Sequence, residues 1–171
     1  QYASAYGVTV IFGVGNGQQD LDDPTVYWSW GVDLSQSASD AIAVGASNGA
    51  AKQKSVYSNF GSPLDVFAWG ENVATSAYPI SAEPSWTWNG TLPPVPPLPM
   101  DANSYFVDVA SGTSPATAQV AGAAALIQSY VKQVTGETTR YLTPAKMKEI
   151  LVQSGVTQVG GGGNIGVQPR I

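Results

Sequence analysis

In Ser111-Gly112-Thr113-Ser114-Pro115-Ala116, a hydroxyl side chain stands where a loop enters a long run of small and aliphatic residues. If that run is a helix, Ser114 lies at its N-terminus, where backbone N–H groups lack intrahelical acceptors and the positive end of the dipole converges. An oxyanion forming beside the Ser114 hydroxyl would then meet a donor in the serine's own N–H. Pro115 does not interfere, because the N–H it lacks is not that of Ser114. Proline is also favourable at the first helical position, and it presses Ser114 into an extended conformation suited to a cap. Taken alone, such a serine is an ordinary N-cap. A serine hydroxyl is a poor nucleophile without an adjacent base, and the chain contains no histidine and no cysteine. Those absences remove the commonest general base and metal ligand, together with disulfides and thiol nucleophiles.

A second polar group follows a β-branched run. Val8-Thr9-Val10-Ile11-Phe12 predicts a buried strand, which enters the glycine-laced turn Gly13-Val14-Gly15-Asn16-Gly17. Taken alone, Asn16 is a turn residue in a Gly-Asn-Gly context. Downstream, Asp20, Asp22 and Asp23 cluster in a polar and aromatic loop over 18–30. Clustered carboxylates suit calcium, but their spacing matches no calcium loop, and the stretch reads as solvated.

The elements that must hold these groups are legible in outline. Tyr2-Ala3-Ser4-Ala5-Tyr6 reads as the last turn of a helix closed by Gly7. Ala41-Ile42-Ala43-Val44-Gly45-Ala46 predicts a second buried strand, short and ended by glycine. Val56-Tyr57-Ser58-Asn59-Phe60-Gly61 and Leu64-Asp65-Val66-Phe67-Ala68 predict two shorter extended pieces separated by Ser62-Pro63. Strands of this length without alternation point to a mostly parallel sheet covered on both faces. Residues 116–131 predict a helix that is apolar nearly all round and belongs in the middle of the protein. A second helix over 144–153 starts with Thr143 as N-cap and Pro144 at the first position. Its Met147, Ile150 and Leu151 form one stripe, with Lys146, Lys148 and Glu149 largely facing out. Residues 81–101 carry Pro84, Pro93, Pro94, Pro96, Pro97 and Pro99 and read as a loop or polyproline segment. Asn89-Gly90-Thr91 within it is a glycosylation acceptor pattern, meaningful only in a secreted protein. Gly160-Gly161-Gly162-Gly163 reads as a turn.

Gly112-Thr113-Ser114-Pro115-Ala116-Thr117-Ala118-Gln119-Val120-Ala121-Gly122 resembles the nucleophile segment of the subtilisin-like serine proteases (peptidase S8), which reads Gly-Thr-Ser-x-Ala followed by Val-Ala-Gly and an Ala-rich central helix. Two positions depart, since that family usually has Pro and His where this chain has Ala118 and Gln119. Gly7 to Asn16 resembles the family's strand ending in Gly-Asn. Ala41–Ala46, Tyr57–Gly61 and Leu64–Gly70 follow the family's order and spacing, with Ala68-Trp69-Gly70 in place of the usual Ala-Pro-Gly. Thr143-Pro144 and its helix sit where the family places its C-terminal helix. The proline-rich segment looks like an insertion. The related sedolisins share Ser-Gly-Thr-Ser but use an Asp as the oxyanion residue and a Glu base, so Asn16 argues for the subtilisin side.

The resemblance implies an α/β, three-layer fold with a mostly parallel sheet, of which this chain is the C-terminal part of one peptidase domain. It implies peptide-bond hydrolysis through an acyl-enzyme at Ser114, with Asn16 and the Ser114 N–H forming the oxyanion hole. It places Gly13, Val14, Gly15 and Thr113 at the substrate. The family's triad His and Asp lie upstream of the Gly-Asn strand, and none of Asp20, Asp22, Asp23, Asp65 or Asp101 occupies a triad position. On that basis the chain needs the N-terminal part of the same domain, and alone it is expected to be inactive and marginally stable. A non-catalytic scaffold serving as a binding module is the competing implication, and a base supplied by another chain is a third. The resemblance calls for no cofactor, although many members carry structural calcium.

Composition bounds the remainder. A length of 171 residues fits one compact domain. Charged residues make up only 11%, against an average of about 25%. With 19 Gly and 12 Pro, that favours tight turns and extended loops over a helical bundle. The net charge is −5 and the basic residues are scattered, which argues against a nucleic-acid surface. The apolar stretch over 120–127 is far too short to span a bilayer. The start, Gln1-Tyr2-Ala3-Ser4, has neither the basic region nor the apolar run of a signal peptide, and reads as cut from something longer. An acidic, cysteine-free, aromatic-rich composition suits an extracellular hydrolase.

Overall fold

The computed structural model describes residues 2–26, 40–49, 52–76, 106–156 and 158. The proline-rich segment, Asn89 and the 160–163 glycines lie outside the described residues. The fold is α/β. Its centre is β2 (Ile42–Asn48), with β1 (Ile11–Gly13) parallel on one side and β4 (Val66–Trp69) parallel on the other. The short β3 (Gln53–Lys54) runs antiparallel to the end of β2. A separate antiparallel pair joins β5 (Val73–Ser76) to β6 (Phe106–Ala110). The helices are α1 (Tyr2–Ala5), α2 (Thr113–Thr135) and α3 (Pro144–Ser154), with a further helical turn over 24–26.

The alternation of side chains along β2 builds two cores. Ile42, Val44 and Ala46 face Ala116, Val120 and Ala124 of α2 and Met147 and Leu151 of α3. On the opposite face Ala43 packs with Val14, Leu21, Leu64 and Phe67. The sheet is therefore covered on both faces, as its sequence suggested, with α2 and α3 packing on one face and Val14, Leu21, Val26 and Leu64 on the other. Gly45 does not end the strand as expected. A Cβ there would lie 2.5 Å from the Phe67 ring and 2.7 Å from Leu64 Cδ1, so glycine admits those side chains and the strand continues to Asn48.

Three other elements differ from expectation. Only 11–13 of the predicted first strand pair as strand, and Val8 and Val10 are exposed. The reason is that β1 has β2 on one side only, and no described residue covers its start. The segment 56–61 is a turn, not an extended piece, because Ser58 and Asn59 turn their side chains onto nearby backbone. The helix expected over 116–131 spans Thr113–Thr135 and buries one stripe: Thr113, Ala116, Val120 and Ala124. Its opposite side, including Leu126, Tyr130 and Val134, is exposed.

The second helix begins as expected. Thr143 Oγ1 accepts from the Lys146 N–H at 3.2 Å, with Pro144 following the cap. Met147 and Leu151 are buried, while Lys146 pairs with Glu149 in solvent. Lys148 is the exception to the outward set. It turns inward to Asp65 Oδ1 at 2.8 Å and the Ala41 carbonyl at 3.1 Å, because Asp65 also accepts from the Ala43 N–H at the start of β2. At the other terminus, the Gly7 N–H closes α1 on the Ser4 carbonyl at 2.9 Å.

Candidate active site

The strand β6 leads through Ser111 to Gly112, which adopts φ 138° and ψ 176°. That conformation belongs to glycine, and a second constraint acts at the same place. A Cβ on Gly112 would approach Asn16 Nδ2 to 3.2 Å. The Gly112 N–H donates to the Gly70 carbonyl at 2.8 Å and to the Tyr57 hydroxyl at 3.1 Å. Tyr57 in turn donates to the same Gly70 carbonyl. The end of β4 and the 55–61 turn thus hold the residue from which the Ser114 segment springs.

The helix starts at Thr113, three residues earlier than expected. Gly112 is the N-cap, and Ser114 and Pro115 are the second and third helical residues. Ser114 is therefore not itself the cap. The shift is possible because the missing proline N–H is one of the four that a helix start leaves unpaired. Ser114 is exposed, and no described residue accepts from its N–H.

Asn16 arrives from a segment 97 residues away in sequence. Its Oδ1 accepts from the Thr113 N–H at 2.8 Å. This contact assigns the amide orientation, because only the oxygen can accept. The two Nδ2 hydrogens then have no acceptor among the described residues. Thr113 locks the junction further. Its buried Oγ1 accepts from the Gly15 N–H at 3.3 Å, and its carbonyl accepts from Thr117 Oγ1 at 2.7 Å. Gly13 faces the same pair, with Thr113 and Thr117 Oγ1 both 3.0 Å from where its Cβ would be.

The structure thus brings Gly13, Val14, Gly15, Asn16, Thr113 and Ser114 together. Their surroundings differ. Val14 is buried, its N–H donates to Val44 and its carbonyl accepts from Asn59. Its side chain and that of Thr113 face the protein interior. Gly13 and Asn16 are exposed. Sequence reasoning passed over Tyr57, Asn59 and Gln119 as individual groups. Gln119 donates to the Trp69 carbonyl at 2.6 Å and ties α2 to the end of β4. No local pattern marks these residues, since each acts across more than ten positions.

Of the acidic loop, Asp22 accepts from the Ser62 N–H and hydroxyl, and Asp20 accepts from the Asp22 N–H. The Asp23 carboxyl is held below its ordinary value, first by the Thr25 N–H and then by the Thr25 hydroxyl. Among the described residues no group of three or more acidic side chains is disposed to hold a metal ion. Burial lowers the Lys54 ammonium, which donates to the Ser55 and Ser58 carbonyls at 3.0 and 3.1 Å and straps the 55–61 turn.

Solved structures share this arrangement of elements. A cold-adapted subtilisin-like serine proteinase superposes with a TM-score of 0.61 at 21% identity, covering 99% of this chain and 46% of that one. A lanthipeptide protease gives 0.66 at 22%, covering 99% and 50%. The epidermin leader peptide processing serine protease of Staphylococcus aureus gives 0.58 at 20%, covering 98% and 39%. The chain therefore spans about half the length of these structures or less. No curated protein matches the sequence. The family model that matches describes the subtilases, peptidase S8, and runs over residues 1–165. With that match covering nearly its whole length, and with a subtilisin-like fold beneath it, the chain belongs to the subtilase family.

Proposed function

We propose that this chain is the nucleophile-bearing part of a serine endopeptidase that hydrolyses peptide bonds through an acyl-enzyme at Ser114. The observation that supports this reading best is the 2.8 Å bond from the Thr113 N–H to Asn16 Oδ1. It leaves the Asn16 amide hydrogens and the Ser114 N–H without an acceptor among the described residues, and on this reading both would face the developing oxyanion. A carbonyl oxygen becoming an oxyanion there would be stabilised as charge develops. Ser114 Oγ would attack the scissile carbonyl carbon. A base from the N-terminal part of the same domain would take its proton and return it to the leaving amine. Gly13 and Gly15 would run beside the substrate backbone.

On this reading the substrate is a protein or peptide and the whole enzyme is extracellular. It acts on neither nucleic acid nor membrane, and it needs no cofactor for the reaction. Structural calcium remains a separate proposal, to be tested by adding chelator during thermal unfolding. A non-catalytic subtilase scaffold acting as a binding module is the second reading; the absence of histidine from these 171 residues is expected on both, because the family's triad His and Asp lie upstream of the Gly-Asn strand.

Fluorophosphonate labelling of the protein from its source, with identification of the labelled peptide and the intact mass, separates the two. A label on Ser114 is the expected result. No label on a protein that is present and not held as a zymogen would establish the scaffold reading.

A further inference from the structure

Resting on that reading, we infer that Asn59 is a positioning residue for the oxyanion hole: it sets the loop that carries Asn16 and so governs kcat without touching substrate. Asn59 is fully buried, with no exposed surface. Its Oδ1 accepts from the Gly17 N–H at 3.0 Å and the Gln19 N–H at 2.9 Å. Its Nδ2 donates to the Val14 carbonyl at 2.7 Å, and its backbone N–H donates to the Gly15 carbonyl at 3.0 Å. One residue therefore binds positions 14, 15, 17 and 19, and Asn16 sits inside the span it closes.

The loop needs such a brace. Gly15 stands at φ 98° and Gln18 at φ 56°, the latter in the left-handed region that a residue with a side chain seldom adopts. Such backbone persists only where its surroundings over-determine it. The only bond the Asn16 side chain makes to a described residue is the one to Thr113. The direction of its free amide hydrogens thus depends on where the loop backbone is held. The Gln18 N–H donates to the Tyr57 carbonyl at 2.9 Å and the Phe60 N–H to the Gln19 carbonyl at 3.0 Å. The 55–61 turn is accordingly the surface against which the loop is registered. Only an amide at 59 satisfies two donors and one acceptor at once. A carboxylate would set an oxygen against the Val14 carbonyl, and a serine would reach too few partners.

The test is a double-mutant cycle in the intact protease, using the peptide p-nitroanilide that the wild-type protein cleaves best. Asn59→Ser and Asn59→Asp are each made alone and on an Asn16→Ala background, with thermal unfolding as a check on folding. The expected result is a kcat loss of about 10-fold or more for each single variant, bounded by the roughly 10²–10³-fold worth of one oxyanion donor, with KM within about twofold. On the Asn16→Ala background the same substitutions should cost less than about twofold further, because the group they position is gone. A rise in KM at unchanged kcat, or an equal loss on both backgrounds, overturns the inference while leaving the protease reading intact. If neither variant folds, Asn59 serves the fold and not the hole, and the inference is again overturned. A wild-type protein that cleaves none of the peptides sinks the protease reading itself, and this inference with it.

Discussion

The two ends of α2 stand in opposite surroundings. At its start, Gly112, Thr113 and Ala116 are buried, and the polar groups around them are paired with Asn16, Gly15, Gly70 and Tyr57. Further along, Leu126, Tyr130 and Val134 are 73%, 66% and 65% exposed, and no described residue covers them. The helix is continuous, so propensity cannot be the cause. The difference lies in what packs against each turn. The start is held by three chain segments distant in sequence, whereas the later turns are tied on one side only, by Ile127 against the core and by Gln128 and Lys132 to the 140–142 segment. The first turn is therefore braced by contacts within this chain, while an exposed apolar face calls for a partner surface. In the proposed enzyme that partner is the N-terminal part of the same domain.

The comparison can be broken most sharply at the braced end. Asn16→Ala in the intact protein should lower kcat by about 10²–10³-fold with little change in KM, a magnitude known from such a donor in a subtilisin. Steady-state kinetics checks it, and an unchanged kcat would remove Asn16 from the chemistry. Next comes the packing beneath the site. Gly45→Ala forces a methyl group to within 2.5 Å of the Phe67 ring and should cost about 1–3 kcal/mol, read as a lower urea midpoint at unchanged slope.

The uncovered end gives the discriminating pair. Leu126→Glu should shift the stability of this chain alone by no more than about 0.5 kcal/mol, as for an ordinary exposed site. In the intact protein, where the face is proposed to be covered, it should cost about 2 kcal/mol or more. Equal effects in the two proteins would show that the face is open in both.

The smallest effect is at the loop edge. Because the folded Asp23 pKa is depressed, its contribution is present above the ordinary value of 3.8 and is lost as pH falls through the folded value. The melting temperatures of wild type and Asp23→Asn should differ most near neutral pH and converge in acid.

Much of the site was legible before any coordinates. The segments around Ser114 and Asn16 carry local patterns, a small-residue helix start and a β-branched strand ending in Gly-Asn, and a helix and a strand form there with shifted bounds, Thr113–Thr135 and Ile11–Gly13. Thr143 and Pro144 announced their helix for the same reason, since a cap is a contact three residues long. The pair β5 and β6 was not anticipated, because each short run gains its pairing from a partner thirty or more residues away. The turn at 56–61 was misread as extended because nothing local shows that Asn59 spends its side chain on the backbone 40 and more residues upstream.

The sequence by itself determined which serine and which asparagine stand as candidates, the two long helices and the central strand, since each is encoded by residues within a few positions of one another. Only the tertiary structure decided that the helix begins at Thr113 and that one face of it is left uncovered by the described residues. It alone decided that Lys148 turns inward, and that Tyr57 and Asn59 hold the two halves of the site in register. These depend on contacts between distant segments, whose free energies exist only once the chain has brought them together.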